Sequence, residues 1–206
     1  MTHFTVGIIL PKDVANPDGH IETVMEPFFE HSEAEPYVCY SLEQAATDLS
    51  AAIRRLELIL GRQDSHYDLD KCRQHLDELS TMSPQEKYLE FVRYHEKFNE
   101  QGQPISTYNP NSKWDWYVIG GRWDGWLHNR KAGGESLADN TALTEQVIAR
   151  DKITHAIVTP DGQWFERGQM GWWAILLTEN ENWDREAQAI LARYPGHKLV
   201  LVDAHI

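Results

Sequence analysis

The chain has 206 residues, of which 41% are hydrophobic and 11% aromatic, and its formal net charge is −13. This length and composition suit one folded domain and exclude a disordered chain. The acidic balance argues against direct binding of duplex nucleic acid, because such binding relies on Lys and Arg at the phosphates. No apolar run reaches the roughly 20 residues of a membrane span, and the N-terminus lacks the basic region of a signal peptide. We therefore expect a cytoplasmic protein with no membrane partner.

The first half of the chain predicts one buried strand followed by a helical insertion. Residues 3–10 place alternate apolar side chains on one face of a strand, and a short strand is predicted at 35–40. Three helical patterns follow, and they begin at Ser41, near residue 68 and at Ser83-Pro84. We therefore predict a single domain over 1–206 with a three-helix insertion at about 41–100.

The second half of the chain contains most of the strand signals. A strand over 114–119 ends at two glycines, and a hairpin is predicted over 154–168. A strand at 172–178, a helix at 183–194 and an apolar strand at 199–204 form a terminal βαβ unit. These elements predict an α+β fold with a ferredoxin-like mixed or antiparallel sheet, in which the first and last strands pair antiparallel.

The segment 107–126 combines aromatic rings, charges and a pair of glycines. In the predicted strand, Trp114 and Trp116 share one face and Asp115 lies on the other. Aromatic rings supply apolar area and stacking, and an arginine supplies a fork for phosphate or carboxylate, so we predict a ligand pocket around 113–126. Its candidate ligand-binding residues are Asn109, Asn111, Lys113, Trp114, Trp116, Arg122, Trp123 and, on a second loop that would close over the pocket, Glu166.

A plainer interpretation of the same residues stays open. The tryptophans would then belong to the core, and Arg122 would pair with Asp124 or Asp115. Glu166 and Arg167 would form a surface ion pair on a turn.

The end of the chain carries a second group of reactive side chains. Asp203 and His205 are two residues apart on a predicted strand and therefore share a face. If the first and last strands pair antiparallel, His3 lies close to His205. A histidine and a carboxylate at this spacing can share a proton or bind a divalent metal. Further metal ligands are not apparent, so no metal site is predicted. The alternative to a proton-sharing site is that these polar side chains simply face solvent at the end of the chain.

Three strings in the sequence resemble a family of uncharacterised proteins from bacteriophages, plasmids and bacterial genomes. They are SKWDWYVIGGRW at 112–123, ERGQMGWWAI at 166–175 and the terminal VDAHI. The resemblance implies a phage or mobile-element accessory protein and implies no established activity. Relatives with this ending carry Asp-Cys-His-Ile, and Ala204 stands here in place of that cysteine. A role that needs a thiol at this position therefore does not carry over.

Three functions are compatible with these patterns. The first is the binding of a small anionic or nucleotide-like ligand in the aromatic pocket, with Asp115, Asp203 and His205 as candidate catalytic acids and bases. The second is inhibition of a host-defence or nucleic-acid-binding enzyme. The segment from Asp13 to Asp48 contains nine acids and no Lys or Arg, and it would bind a basic surface of that host protein. The weakest is a metal-dependent hydrolase. The sequence identifies no cofactor.

Overall fold

The structure is a computed structural model that describes residues 2–63, 66–130, 136–168 and 180–206. In these ranges no helix has both the length and the apolar character that crossing a bilayer requires. The helices and strands follow one another in this order: β1 His3–Ile9, α1 Pro17–Met25, β2 Tyr37–Val38, α2 Leu42–Arg62, α3 Leu69–Thr81, α4 Pro84–Val92, β3 Ile105–Ser106, β4 Trp116–Ile119, β5 Thr141–Leu143, α5 Thr144–Ala149, β6 Ala156–Val158, β7 Trp164–Glu166, α6 Trp183–Ala192 and β8 Lys198–His205.

One compact unit consists of Met1–Ser32 and Tyr108–Ile206 and contains a mixed sheet. The strand order is β4-β8-β1-β6-β7, and β5 pairs with β8. β8 is antiparallel to β1, β4 and β5, whereas β1 and β6 run parallel and β6 and β7 form a hairpin. The register of β8 therefore fixes which side chains of β1 and β4 become neighbours.

The predicted α+β architecture is confirmed, and so is the antiparallel pairing of the first and last strands, with His3 opposite His205. The ferredoxin-like order is not confirmed. β1 and β6 are parallel neighbours, whereas neighbouring strands of a ferredoxin-like sheet are antiparallel. The difference arises because the first strand of the predicted hairpin, and not the second, lies beside β1. The strand predicted at 172–178 lies outside the described residues.

The two faces of this sheet bury two separate hydrophobic clusters. Successive side chains of a strand point to opposite faces, so alternate residues of β1 and β8 supply each cluster. One cluster contains Val6 and Val202 and is covered by α1, and the other contains Ile9 and Leu201 and is covered by α6. The run from Leu199 to Val202 is buried on both faces, as the sequence predicts for a central strand.

A second compact unit spans Glu33–Thr107 and contains α2, α3, α4 and the short antiparallel pair of β2 and β3. The three helices form where the sequence predicts them. Ser41 caps α2 by accepting a hydrogen bond from the Gln44 amide, and Ser83 and Glu86 form the predicted capping box of α4. The description of the chain as a single domain with an insertion stays a prediction.

Close packing at Gly7 yields a test of the core. A Cβ at Gly7 would lie 2.8 Å from Cδ1 of Leu199 and 2.9 Å from Oγ1 of Thr154. We expect Gly7→Ala to lower the free energy of unfolding by about 1–3 kcal/mol, because extra atoms in a packed core force their neighbours to move. Urea unfolding followed by circular dichroism measures this change.

Gly61→Ala is the matched control, because a Cβ at Gly61 meets no atom within 4 Å. Alanine is the better helix former, so this change leaves stability equal or slightly higher. A Gly7→Ala variant as stable as the unchanged protein would contradict the packing described here.

Candidate functional site

The first histidine–carboxylate pair joins the ends of β1 and β8. Nδ1 of His3 lies 2.9 Å from Oδ1 of Asp203, and the side chains are 11% and 2% exposed. A buried carboxylate is costly unless its oxygens are bonded. Here Oδ2 of Asp203 also accepts a hydrogen bond from the backbone amide of Arg122, at 2.9 Å. Both oxygens of the buried carboxylate are therefore bonded.

The second pair joins β8 to the residue before β4. Nδ1 of His205 lies 2.6 Å from Oδ1 of Asp115, and the side chains are 5% and 29% exposed. The backbone amide of Asp115 also donates to the carbonyl oxygen of His205, at 2.9 Å. Asp115 is therefore held against His205 by both its backbone and its side chain.

The two pairs meet on one face of the sheet. His3, His205 and Trp116 are register partners across β1, β8 and β4, so their side chains lie side by side. The ring centroids of His3 and His205 are 5.1 Å apart, and Trp116 stacks on His205 at 5.6 Å and 15°. We call His3, Asp115, Trp116, Asp203 and His205 the histidine cluster.

The glycine pair at 120–121 makes room for this cluster. Both glycines have positive φ, at +73° and +51°. A Cβ at Gly121 would collide with the carboxylate of Asp203. The turn therefore brings the Arg122 amide to Asp203 only because residue 121 has no side chain.

One atom of the cluster lacks a partner. Nε2 of His205 is buried, and it has no hydrogen-bond partner in the described part of the chain. In the neutral ring, with the Nδ1 proton donated to Asp115, Nε2 presents a lone pair. Leaving a buried polar atom unpaired costs about 1–3 kcal/mol. Nε2 of His20 and Nε2 of His155 are buried and unpaired in the same way, so what distinguishes His205 is its place beside His3 and Trp116.

The predicted tryptophan wall does not form. Trp114 is buried in the cluster under α1, where its Nε1 donates to the carbonyl oxygen of Met25 at 3.1 Å. Trp123 packs against the cluster on the other face of the sheet. Placing Trp114 and Trp116 on one face is wrong because β4 begins only at Trp116, so strand alternation does not extend back to Trp114. Trp116 alone of these three rings joins the histidine cluster.

The two candidate asparagines shape the loop that leads to β4. The buried Asn109 donates from Nδ2 to the carbonyl oxygens of Pro27 and Phe29, at 2.9 Å each. Its Oδ1 accepts a hydrogen bond from the amide of Asn111, whose side chain is exposed. Asn109 therefore has a structural role in this geometry.

Lys113 and Glu166 come together as a pair of their own. Nζ of Lys113 lies 2.7 Å from Oε1 of Glu166, and the other carboxylate oxygen accepts from Nε1 of Trp164 at 2.9 Å. Lys113 is therefore neutralised by its partner. Arg122 is exposed. Glu166, predicted on a second loop, is the last residue of β7, and Arg167 next to it pairs with Asp184 at 2.7 Å rather than with Glu166.

His155 lies just before β6 and is a histidine that no sequence pattern singles out. Burial lowers the pKa of its imidazole below the ordinary value of 6.5, partly opposed by the charge of Glu166. Its ring packs edge-on against Phe4 with centroids 5.5 Å apart. A neutral imidazole packed against a phenyl ring stabilises the fold, so we assign His155 a structural role.

Within the described residues, no group of three or more His, Cys, Asp or Glu side chains is arranged to hold a metal ion. No family model, curated protein or solved structure matches the chain. The resemblance to phage and plasmid proteins therefore stays a prediction.

A pair of glycine substitutions tests how closely the turn fits Asp203. Gly121→Ala adds both backbone strain and the collision with the carboxylate, whereas Gly162→Ala adds strain at φ +82° with no atom within 4 Å. We expect Gly162→Ala to cost about 1–2 kcal/mol of unfolding free energy. Gly121→Ala should cost about 1–3 kcal/mol more, because the buried carboxylate has to move. Equal losses in urea unfolding would mean that Gly121 does not support the cluster.

Proposed function

We propose that the histidine cluster binds a small anionic or nucleotide-like ligand. The observation that carries this proposal is a half-exposed tryptophan that stacks on the buried His205 and meets the part-buried His3 edge-on, each histidine being held at Nδ1 by a carboxylate. A purely structural surface needs neither two histidine–carboxylate contacts nor an exposed indole. The site proposed here is narrower than the predicted pocket at 113–126, since Trp114 and Trp123 belong to the core.

Trp116 supplies the stacking surface. It is 43% exposed although it is among the largest apolar side chains of the sheet. Its stacking on His205 and its edge contact with His3 hold the indole in one orientation. A fixed aromatic face suits the flat, polarisable ring of a nucleobase, and stacking of one base on such a face contributes about 1–3 kcal/mol.

Arg122 supplies the positive charge for the anion. Its amide is fixed to Asp203, so the residue starts from a defined position beside the cluster. Its side chain is exposed, and a guanidinium fork matches the oxygens of a phosphate or carboxylate. Lys113, the other candidate cation, is already paired with Glu166 and is left out of the proposal.

The sequence resemblance supports a phage or mobile-element accessory role for this ligand-binding protein, acting in the cytoplasm. A basic host protein is the alternative partner. One observation favours it: after burial, the charges of Glu22, Asp18 and Glu26 are what raises the pKa of Tyr117. Two acids of α1 and the residue that follows the helix therefore place negative charge near Tyr117.

Calorimetric titration with nucleoside monophosphates and short oligoribonucleotides tests the proposed ligand. We expect binding by the unchanged protein and a loss of at least about tenfold in affinity for Trp116→Ala, from the lost stacking. Arg122→Ala keeps the amide that holds Asp203 and should weaken binding of phosphate-bearing ligands while leaving free nucleosides unaffected.

Arg185→Ala is the matched control for the charge, because Arg185 lies on α6 and contacts Asn182 of the same segment. It should bind like the unchanged protein. If the whole panel fails to bind at millimolar concentration, the proposal is lost. If a basic protein is captured instead, and reversal of Asp18 and Glu22 abolishes the capture, the alternative takes its place.

A further inference from the structure

The two histidine–carboxylate pairs are arranged as an acid and a base. We propose that the cluster cleaves a phosphodiester that carries a neighbouring hydroxyl group, as in a ribonucleotide, by general acid–base catalysis at His3 and His205. This inference rests on the proposed ligand-binding function and names its substrate class. It requires one ring to accept a proton and the other to donate one in the same reaction.

The contacts of the two rings leave the same nitrogen for chemistry in each. Nδ1 of His3 is taken by Asp203 and Nδ1 of His205 by Asp115. Nε2 is then the atom through which each ring exchanges a proton with a ligand. The two rings are in edge contact, with centroids 5.1 Å apart, so one substrate would meet both of them.

The surroundings of the two rings differ, and the difference assigns their roles. Asp203, which faces His3, is 2% exposed, and its other oxygen accepts a hydrogen bond from the Arg122 amide. Asp115, which faces His205, is 29% exposed, and Nε2 of His205 is buried without an acceptor. A buried N–H without an acceptor on a charged ring is costlier than a buried lone pair, so His205 is the neutral base and His3 the acid.

The two carboxylates are engaged with the two rings, so we assign the nucleophile to the substrate itself. A hydroxyl on the carbon next to the phosphodiester is already held close to phosphorus, which replaces a bimolecular attack by an internal one. This is why a ribonucleotide fits the cluster better than a deoxyribonucleotide.

The reaction balances without a further reactant. The hydroxyl oxygen attacks phosphorus and its proton passes to Nε2 of His205. The bond from phosphorus to the leaving oxygen breaks, and that oxygen takes the proton from Nε2 of His3. The products are a cyclic phosphodiester and an alcohol, and exchange of one proton each with water restores both rings. Arg122 faces the phosphoryl oxygens, and Trp116 stacks on the base.

The covered Nε2 of His205 sets one condition on this reaction. The side chains around that atom have to move before a substrate oxygen reaches it. Trp116 stacks on the same ring and is 43% exposed, so its indole is the part of the cluster that a substrate reaches from solvent. We expect the base of the substrate to meet this indole first.

The test is cleavage of ribodinucleoside monophosphates covering the four bases, in EDTA, with products identified by mass spectrometry. We expect a cyclic phosphate product, and no cleavage of the deoxyribose counterparts, which lack the hydroxyl. His3→Asn and His205→Asn should each lower the rate by about 100-fold or more. Both variants are purified in parallel with the unchanged protein, so a contaminating nuclease would show itself as equal rates.

A substrate with a leaving group that needs no proton separates acid from base. With a p-nitrophenyl ester of a ribonucleotide, His3→Asn should retain activity within about tenfold of the unchanged protein, and His205→Asn should still lose about 100-fold. Loss of folding cannot give this pattern, because it lowers both rates in both variants.

The outcomes are distinguishable from failure of the proposed function. Ribonucleotides that bind in calorimetry but are not cleaved overturn the inference and leave the binding site standing. Equal cleavage of deoxyribonucleotides, or cleavage only after a divalent metal is added, also overturns it. Absence of binding and of cleavage overturns both proposals.

Discussion

The buried carboxylate of Asp203 is the constraint around which this sheet edge is organised. A charge at 2% exposure has to be bonded by the protein itself. His3 supplies one contact from β1, and the Arg122 amide supplies the other from the turn after β4. The turn approaches closely enough only because Gly121 has no side chain. The positions of β1, β8 and the turn after β4 therefore all depend on one carboxylate.

The strand β8 links the stability of the fold to the geometry of the histidine cluster. On one face of β8, Leu199 and Leu201 lie in the hydrophobic core, and Asp203 and His205 continue the same row. A slip of one residue between β1 and β8 would turn the core residues outward and separate His3 from its partner. The apolar half of the strand thus fixes the register on which the polar half depends.

The sequence predicts the parts of this arrangement that follow from local patterns. Strand alternation in β1 and β8, together with their antiparallel pairing, places His3 opposite His205, and serine caps locate α2 and α4. Contacts that depend on the packing of segments distant in sequence could not be predicted from local patterns. Lys113 and Glu166, 53 residues apart in sequence, were expected at one pocket, but nothing local indicates that they neutralise each other.

The tryptophans show why the rest could not be predicted. Trp114 and Trp116 look alike in sequence, yet one lies in the core and the other is 43% exposed. The environment of each ring depends on the residue at which β4 begins to pair with β8. That residue is Trp116, whose partner is His205, 89 residues further along the sequence. The same non-local pairing creates the Asp115–His205 contact. Composition singles out the segment 107–126, but only the register distinguishes Trp116 from Trp114.

The proposed binding of an anion by a chain of net charge −13 depends on the charges close to the cluster. Exposed charges further apart than about 8–10 Å are largely screened at physiological salt, so the acids elsewhere in the chain weigh little at the cluster. There, Asp115 and Asp203 face His205 and His3, and Arg122 lies beside them. Under the proposed function, the charges of these few side chains, rather than the overall charge, decide whether an anion is attracted.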